Sequence, residues 1–366
     1  MVLEDTRLQK PSLQAFISES DVIRNEDGSN AERYPLANAY PVEPVDEINN
    51  VYEIIESQIQ AAAVITGFNS GSPIRSKGQG KQAVAQLTKI QNAHFLDEVE
   101  IYHYLNPRTA AERQRIVDNV LLSTNDLSVS VDDVKEYIRA QMAYNGKFDY
   151  ADPMTQTRLT FNLDRPKEND VKAAIPWGQP ESTPISDLQS AIKQFQKTNG
   201  RRKPEVINMS SATYEKLTRS GQIKNELFGD SKSPRIVSND MVNQLLNSFR
   251  LPLIQIDDNE TTVENEDGTF KTHRHLEDDK VVLRAAILGS TMSGPSIENN
   301  FEVGKFVEVV ISQDPHTEKT IVGEVVMPVT KNINGTVFLS VGQAEEEDSH
   351  DDLEGHSHSH LEPSSS

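Results

Sequence analysis

The pair Gly80-Lys81 could do nucleotide chemistry if it belonged to a phosphate-binding loop. In such a loop, backbone N–H groups surround the phosphates, a lysine contacts them, and the next serine or threonine binds magnesium. The motif fails here, because Arg75 stands where glycine is required and Gln82 stands where the hydroxyl residue is required. The sequence therefore predicts no nucleotide site at this position.

Histidines and paired acids could hold metal ions. His356, His358 and His360 alternate with serines, and imidazole is a ligand for zinc or nickel. The pairs Asp257-Asp258 and Asp278-Asp279 could hold a hard cation through carboxylate oxygens. We interpret the histidines as part of a solvated tail, and each acidic pair as the end of a strand or a turn. We therefore expect no metal site and no other cofactor.

Several classes of protein are excluded by what the sequence lacks. It contains no cysteine, so thiolate nucleophiles, disulfides and cysteine-bound metal centres are ruled out. The G-x-S-x-G motif of serine hydrolases and the H-E-x-x-H motif of zinc proteases are both missing. The longest apolar runs, such as Val281–Leu288, are far shorter than the ~20 residues of a membrane helix, and the first ten residues hold no apolar signal segment. We expect neither an enzyme nor a membrane protein.

Charge is distributed unevenly along the 366 residues, which carry 36 Lys and Arg against 56 Asp and Glu, a formal net charge of −20. Residues 344–366 hold eight acids and no lysine or arginine, whereas residues 57–96 hold no acid. The basic residues of this acid-free stretch are Arg75, Lys77, Lys81 and Lys89. We expect the stretch to contact an acidic surface. Duplex DNA is one candidate, but a strongly acidic body repels DNA at long range, which favours an acidic protein surface such as another copy of the chain.

A second basic group, Arg201-Arg202-Lys203, follows Gly200, where a helix pattern ends. Basic residues complement the negative end of a helix dipole, so a solvated helix cap is one interpretation. A contact with a neighbouring subunit is the other.

Hydrophobic periodicity divides the first half of the chain into four regions. Residues 1–47 show no clean period and contain several prolines, which is typical of an extended arm. Residues 48–63 contain no helix breaker and could form a short helix. Capping-box patterns predict two helices, or one broken helix, from about 109 to 145. Apolar and polar residues alternate over 157–164, which predicts a half-buried strand.

From about 175 to 297, helix and strand patterns alternate as in an α/β unit. Within this unit we expect helices starting at Pro184, Ser211 and Asn239, strands near 205–209, 251–257 and 281–288, and a hairpin over 261–276 that turns at Asp267-Gly268. Strand patterns return near 301–311, 320–329 and 336–341, and we expect them to pair with residues 157–164 across the inserted unit. An extended arm and a long basic loop cannot bury their surface within one monomer, so this organisation indicates a protein that assembles with other chains.

Four stretches of the sequence occur in an order found in one known family. The first is residues 95–147, a loop followed by helices. The second is Trp177–Leu188, which has the pattern W-x-x-P-x-x-x-P-I-x-D-L, and the third is Pro204–Leu217, which has P-x-x-I-x-M-S-x-x-x-Y-x-x-L. The fourth is Glu324–Val329, which has E-x-V-M-P-V. This set resembles the major capsid proteins of tailed phages, the lambda major capsid protein E family. The resemblance covers about residues 50 to 342.

The resemblance implies the α+β fold of the Hong Kong 97 phage capsid protein. It implies an N-terminal arm (1–66), an extended loop (67–104), a peripheral β domain with a spine helix at about 126–145 (105–174 and 298–343), and an inserted axial α/β domain (175–297). An acidic, His-rich tail that we expect to be disordered (344–366) completes the chain. Neither this tail nor residues 1–47 has a counterpart in the family pattern.

The resemblance also implies a function. A major capsid protein self-assembles into hexamers and pentamers that form the icosahedral head shell around double-stranded DNA, without sequence-specific binding. The expected partners are further copies of the chain, a scaffolding protein, a portal and a decoration protein. The expected location is the virion, after assembly in the host cytoplasm. The basic residues of the loop and of positions 201–203 are then candidates for contacts between subunits.

Two other functions stay open at this stage. An encapsulin-like shell of a cellular compartment would have the same fold and would enclose a cargo enzyme. A cytosolic enzyme with an unrecognised site in the α/β unit is the alternative from a different class, since fold alone does not decide function.

Overall fold

The computed structural model describes residues 5–55, 81–152, 157–264, 269–314 and 316–342. The helices are α1 (Lys10–Glu26), α2 (Ser29–Arg33), α3 (Glu98–Leu105), α4 (Ala110–Ala140), α5 (Pro184–Thr198), α6 (Ser211–Arg219), α7 (Gly221–Phe228) and α8 (Asn239–Ser248). The strands are β1 (Val42–Pro44), β2 (Asn49–Ile54), β3 (Lys81–Gln86), β4 (Thr88–Leu96), β5 (Lys147–Asp152), β6 (Thr157–Asn162), β7 (Asp170–Lys172), β8 (Val206–Met209), β9 (Leu253–Ile256), β10 (Glu260–Glu264), β11 (Phe270–Arg274), β12 (Lys280–Arg284), β13 (Gly289–Ser293), β14 (Phe306–Gln313), β15 (His316–Thr330) and β16 (Thr336–Ser340). The α+β class expected from the sequence is confirmed.

Helix α4 occupies the range in which the sequence predicts two helices or one broken helix, but it is one continuous helix, so the expected break is wrong. It starts where the Thr109 side chain accepts a hydrogen bond from the Glu112 N–H (3.2 Å), as its capping pattern indicates. A π-helical turn over Gln141–Asn145 prolongs it, and Gly146 ends it with φ 67°, a conformation that favours glycine. None of the described helices is both long enough and apolar enough to cross a membrane.

A five-stranded sheet lies against α4, and β15 is its central strand. Strand β4 pairs along one side of β15, β14 and β13 pair along the other, and β1 adds in parallel outside β13. Val307 of β14 and Val322 of β15 pack with Val117 and Val120 of α4, and all four are buried. The helix and this sheet therefore form one body.

A second five-stranded sheet has the order β7-β16-β12-β8-β9. Its core contains Trp177, Leu188 and Phe195, which precede β8 in the sequence, and Val337 and Leu339 of β16, the last strand. Helix α5 starts at Pro184, α6 at Ser211 and α8 at Asn239, as the sequence predicts. Because β7 and β16 belong to this sheet, it extends beyond both expected bounds of the inserted unit.

The expected pairing of the last strands with residues 157–164 is wrong. Strand β6 pairs with β5, its neighbour along the chain, whereas β16 pairs with β12 and β7. Alternation of side chains predicts a strand but carries no information about its partner. Sequential strands commonly pair with each other, which is the simpler outcome here.

The expectation of an extended arm over residues 1–47 is also corrected. Helix α1 forms there, and it buries Leu13 and Ile17 against α4 and β14. Gln14 fixes its register, since its side chain accepts from the Val307 N–H (2.9 Å) and donates to the Lys305 carbonyl (2.7 Å). The apolar stripe of α1 is narrow, with only Leu13 and Ile17 buried, and its partners in α4 and β14 are distant along the chain, so the sequence gives little sign of it.

The short helix expected over residues 48–63 is replaced by a strand in the described part of that range. Residues Asn49–Ile54 form β2, which pairs antiparallel with β3. Residues 56–80 lie outside the described part of the chain. Absence of a helix breaker is weak information, since β-branched and aromatic residues such as Val51 and Tyr52 suit a strand equally well.

One face of α4 carries a largely buried network of ions. Lys305 Nζ lies 2.7 Å from Asp132 Oδ2 and 2.9 Å from Asp21 Oδ2. Lys135 Nζ lies 2.6 Å from Asp132 Oδ1 and 2.7 Å from Glu324 Oε2. Burial would raise the pKa of Asp132, but Lys135 and Lys305 outweigh it and hold that pKa below its ordinary value. The network joins α4 to α1, β15 and the residue before β14.

One turn further along α4, a second buried group binds the chain before β1. Glu136 accepts from the Leu36 N–H (2.7 Å) and from Arg139 (3.0 Å). Arg139 in turn donates to Thr291 Oγ1 (3.0 Å), and that hydroxyl donates to the Tyr40 carbonyl (2.8 Å). Burial raises the pKa of Glu136. These bonds fix the position of residues 36–40 relative to β13 and α4.

We predict that Asp132→Asn lowers the free energy of unfolding at pH 7 by about 3 to 5 kcal/mol, because two lysines lose the charge that compensates their burial. The folded-state pKa of Asp132 is lowered, so its contribution is present above 3.8, the ordinary value, and is lost as the pH falls through the folded-state pKa. The difference between wild type and variant should therefore shrink below that pH. Urea unfolding of the unassembled chain, at pH 7 and at a pH below that pKa, measures this difference.

Glu168→Gln is the matched control for this prediction, since it removes one acid from an exposed ion pair with Lys197. Exposed pairs contribute about 0 to 1 kcal/mol. Equal effects of the two substitutions would contradict the role of the Asp132 network.

Candidate subunit interface

The basic residues singled out in the acid-free stretch reach different places. Arg75 and Lys77 lie outside the described residues, and Lys81 begins β3. Lys89 lies on β4, where its ammonium group donates to a carboxylate oxygen of Glu298 in the same chain. A contact of Lys89 with a neighbouring subunit would therefore compete with its ion pair to Glu298 inside the chain.

Arg201, Arg202 and Lys203 are exposed at the end of α5, as the sequence suggests. Arg201 has a positive φ of 66°, and its N–H donates to the Gln196 carbonyl (2.8 Å), which closes the helix. Among the described residues, none of the three basic side chains forms an ion pair. These three residues follow α5, which packs on the β12 sheet, whereas Lys89 lies in the β15 sheet. The structure therefore does not bring the two basic groups into one site.

Helix α3 is apolar on two faces. The Asp97 side chain caps it by accepting from the Glu100 N–H (2.7 Å), with Glu100 reaching back in a capping box. Its inner face buries Ile101 and Tyr104 against α4. Its outer face leaves Val99, Tyr102 and Leu105 exposed by 61%, 61% and 50%. These three, spaced three residues apart, follow one side of the helix and are called the α3 stripe.

A second apolar surface lies on the loop of residues 294–305, called the turn loop, which connects β13 to β14. Ile297 and Phe301 are exposed by 76% and 72% on it. Asn300 and Phe301 both have positive φ, 53° and 64°. Non-glycine residues rarely adopt this conformation, and it indicates that the surrounding structure holds the turn.

The backbone of the turn loop is held from both sides. The Phe301 N–H donates to the Ser296 carbonyl (2.8 Å). Lys10 of α1 donates to the Glu298 carbonyl (2.6 Å), while Lys89 of β4 pairs with the Glu298 carboxylate and lowers its pKa. The loop therefore presents two exposed apolar side chains on a backbone tied to two other elements.

These apolar surfaces are the features that sequence reasoning missed. Charge patterning directed attention to lysines and arginines, whereas the exposed side chains are aromatic and aliphatic. One signal was present: residues 98–105 carry apolar side chains all around the helix, which a helix with only one partner does not need. The turn loop gave no comparable pattern.

The acidic pairs considered as cation sites have structural roles. Asp257 follows β9 and accepts a hydrogen bond from the buried Tyr144 hydroxyl. Asp278 precedes β12 and accepts from Ser210 Oγ (2.6 Å). Their positions at strand ends confirm the interpretation from sequence. Across the described ranges, no group of three or more His, Asp or Glu side chains is placed to hold a metal ion, and His356, His358 and His360 fall outside these ranges.

We predict that Lys89 and Glu298 are energetically coupled within one subunit. A double-mutant cycle with Lys89→Gln and Glu298→Gln should give a coupling energy of about 0.5 kcal/mol in the unassembled chain, the usual size for a partly exposed pair. Urea unfolding measures it. The control cycle pairs Lys89→Gln with Glu302→Gln, an exposed acid of the same loop, and should give none; equal coupling in both cycles would contradict the pairing.

Two solved structures resemble most of the chain in fold. One is a prophage protein assigned as a capsid protein, from Escherichia coli CFT073, with 14% identity and a TM-score of 0.55, covering 92% of this chain and 99% of that one. The other is a phage-related protein of Bordetella bronchiseptica RB50, with 13% identity and a TM-score of 0.52, covering 92% and 98%. At these identities the likeness shows the fold.

Among curated proteins, no sequence matches this chain. The model of one protein family does match, and its description is phage major capsid protein E. The match runs over residues 51–341, which include α4, the strands from β3 to β16 and the turn loop. It covers the four stretches whose order the sequence analysis singled out. The chain belongs to the phage major capsid protein E family.

Proposed function

We propose that the protein is the subunit of a phage head and assembles into hexamers and pentamers that close into an icosahedral shell around double-stranded DNA. The family match over residues 51–341 carries this proposal. The described surface supports it, since the α3 stripe and the turn loop expose aromatic and aliphatic side chains on backbone that is fixed by internal bonds.

Shell assembly needs surfaces of this kind. Aromatic side chains at the centre of an interface contribute most of its binding free energy. They contribute more when the backbone is already ordered, because association then loses less conformational entropy. Tyr102 of the α3 stripe and Phe301 of the turn loop meet both conditions, and a neighbouring copy of the chain is the partner that would cover them.

The domain division expected from the sequence enters this proposal in a modified form. The body of α4 and the β15 sheet is assigned as the peripheral domain with its spine helix. The β12 sheet with α5 to α8 is assigned as the axial domain, with β7 and β16 included. Arg201, Arg202 and Lys203 lie at its surface and are candidates for contacts around the capsomer axis. The expected bounds of the extended loop, 67–104, are too wide, because β4 and α3 belong to the body of α4 and the β15 sheet. Residues 67–87 are assigned as the extended loop, and its Arg75, Lys77 and Lys81 are candidates for contacts with the next subunit.

The charge of the subunit fits enclosure of DNA without adhesion to it. A chain with net charge −20 repels the phosphate backbone, so packaged DNA would not bind to the inner wall. We further propose a scaffolding protein, a portal and a decoration protein as partners, assembly in the host cytoplasm, location in the virion and no enzymatic activity. The family assignment supports each of these, since they follow from a structural role in a phage head.

An encapsulin-like shell is the second candidate, since it would use the same kind of subunit. The match to a family of phage capsid proteins favours the phage head. The genome or cargo recovered from purified shells would distinguish the two. A cytosolic enzyme is disfavoured by the same match.

We predict that the purified chain forms closed polyhedral shells, or rings the size of capsomers, alone or with a co-expressed scaffolding protein. Negative-stain electron microscopy and light scattering detect them. A monodisperse monomer under every condition, with and without a scaffold, would contradict the proposal.

We predict that Tyr102→Ser and Phe301→Ser, tested separately, each raise the critical concentration for assembly about tenfold. This change corresponds to ~1.4 kcal/mol lost per contact. The free energy of unfolding of the unassembled subunit should change by less than about 0.5 kcal/mol, since both side chains are exposed. Light scattering over a concentration series measures the first quantity and urea unfolding the second.

Ile236→Ser is the control for these two variants, because Ile236 is 90% exposed outside both surfaces, and its apolar neighbour Val237 packs inward against the core of the β12 sheet. Isolated apolar side chains of this kind are common on surfaces without a partner. If Ile236→Ser impaired assembly as much as Tyr102→Ser and Phe301→Ser do, the two surfaces would not be specific contacts.

A further inference from the structure

A basic cavity of about 790 Å³ lies beside β16, where the described chain ends. The π-helical turn after α4, the starts of β5 and β12, and the hairpin strand β11 surround it. Lys147, Arg165 and Lys280 line it, together with Phe338 and Ser340 of β16. A concentration of cations is unexpected on a chain of net charge −20.

Two of these cations contact the same aromatic ring. The Arg165 guanidinium lies 3.5 Å from the centroid of the Phe338 ring, and Lys280 Nζ lies 4.8 Å from it. The ring attracts both cations through its quadrupole. This arrangement brings two like charges together at the cavity wall.

The acids of the cavity do not balance its cations. Arg165 pairs with Asp170 at 3.0 Å, and Glu277 also lines the wall. Lys280 donates to Asn145 Oδ1 (2.7 Å), a neutral acceptor. Within the described residues, neither Lys147 nor Lys280 has an ion pair.

The environment of Lys280 favours arrival of a further anion. Burial is the largest influence and lowers its pKa, and the positive charges of Arg165 and Lys147 lower it further, while Glu277 and Asp170 oppose this. Arg274, the remaining cation of the wall, has three acids of its own outside the cavity, Asp258, Glu260 and Asp278. Lys147 and Lys280 are therefore the cations left to bind a carboxylate from elsewhere.

The chain itself supplies carboxylates next to this cavity. Lys280 lies directly opposite Ser340 in the antiparallel β12–β16 ladder. Val341 is fixed by a hydrogen bond from the Trp177 N–H to its carbonyl (2.9 Å), and Gly342 is the last described residue. Glu345 follows Ser340 by only five residues, a span of at most ~17 Å when extended.

We propose that the basic cavity binds the acidic segment Glu345–Glu354 of the same chain. That segment contains seven of the eight acids that follow Ala344 and no lysine or arginine. A tether of a few residues gives an effective concentration on the order of millimolar, so weak ion pairs suffice to hold it. This inference concerns the tail alone and does not depend on shell assembly.

A label on the tail tests the proposal in the full chain. The sequence has no cysteine, so Ser349→Cys gives one site for a maleimide fluorophore. In the unassembled chain, the bound tail should show high steady-state anisotropy. Raising the salt from about 0.1 M to about 1 M shortens the Debye length from about 10 Å to about 3 Å, and the anisotropy should fall towards that of the free labelled peptide.

The cavity variant Lys147→Gln with Lys280→Gln should show the low anisotropy at low salt as well. Its control is Arg201→Gln with Lys203→Gln, which removes the same charge from an exposed site outside the cavity and should leave the anisotropy high. If the cavity variant failed to fold, by circular dichroism, Lys147→Gln alone, at an exposed side chain, would replace it. A further variant with Glu345, Glu346 and Glu347 changed to Gln leaves the cavity intact and should also release the label.

Three results would overturn the proposal. One is a low anisotropy in the unmodified full chain at low salt. Another is an equal loss of anisotropy in the cavity variant and in the control variant, which would indicate that the tail is attracted to positive charge in general. The last is an anisotropy that rises as unlabelled chain is added, which would place the tail on a second copy.

Discussion

The placement of the N-terminal segment and of the β15 sheet depends on the burial of charged side chains along one face of α4. Asp132, Lys135, Glu136 and Arg139 lie there within two turns of helix. A buried charge is strongly destabilising without a partner, so each must be met by a group from a particular place in the chain. The partners come from α1, the 36–40 segment, β13, β15 and the residue before β14. Only one relative arrangement of these elements satisfies all of them, which makes α4 the axis on which the sheet and the N-terminal segment are positioned.

A body fixed in this way can expose apolar side chains without collapsing around them. The α3 stripe is exposed because the opposite face of the same helix is already packed on α4. The turn loop is exposed because Lys10 holds the backbone carbonyl of Glu298 and Lys89 holds its carboxylate. In the shell that we propose, internal ion pairs hold the shape of the subunit, and the outward apolar groups contact neighbouring copies. The net negative charge of the chain acts at longer range there and repels the enclosed nucleic acid.

Local signals in the sequence were the reliable ones. Thr109 and Ser238 mark helix starts because their hydroxyls bond to backbone groups two or three residues away, and Pro184 does so because its ring fixes φ. The family motifs were equally readable, since Trp177–Leu188 forms a connected piece in which the Trp177 indole donates to Asp187 (3.0 Å). Helix α1 was missed because its stability comes from packing on α4 and β14, which are distant along the chain. The exposed apolar surfaces were missed because exposure is a property of the folded chain.

The sequence by itself therefore determined the class of the fold, the position of the long helix, most elements of the α/β unit and the family. These depend on interactions between residues close along the chain, or on ordered motifs. Only the tertiary structure decided which strands pair, that β16 joins β12 and β7 while β6 turns back on β5, and that Lys89 is matched by Glu298. The physical reason is that strand pairing and ion pairing over long separations depend on the position of the whole backbone. A pattern of alternating side chains, or a basic residue, is compatible with many partners until that backbone is in place.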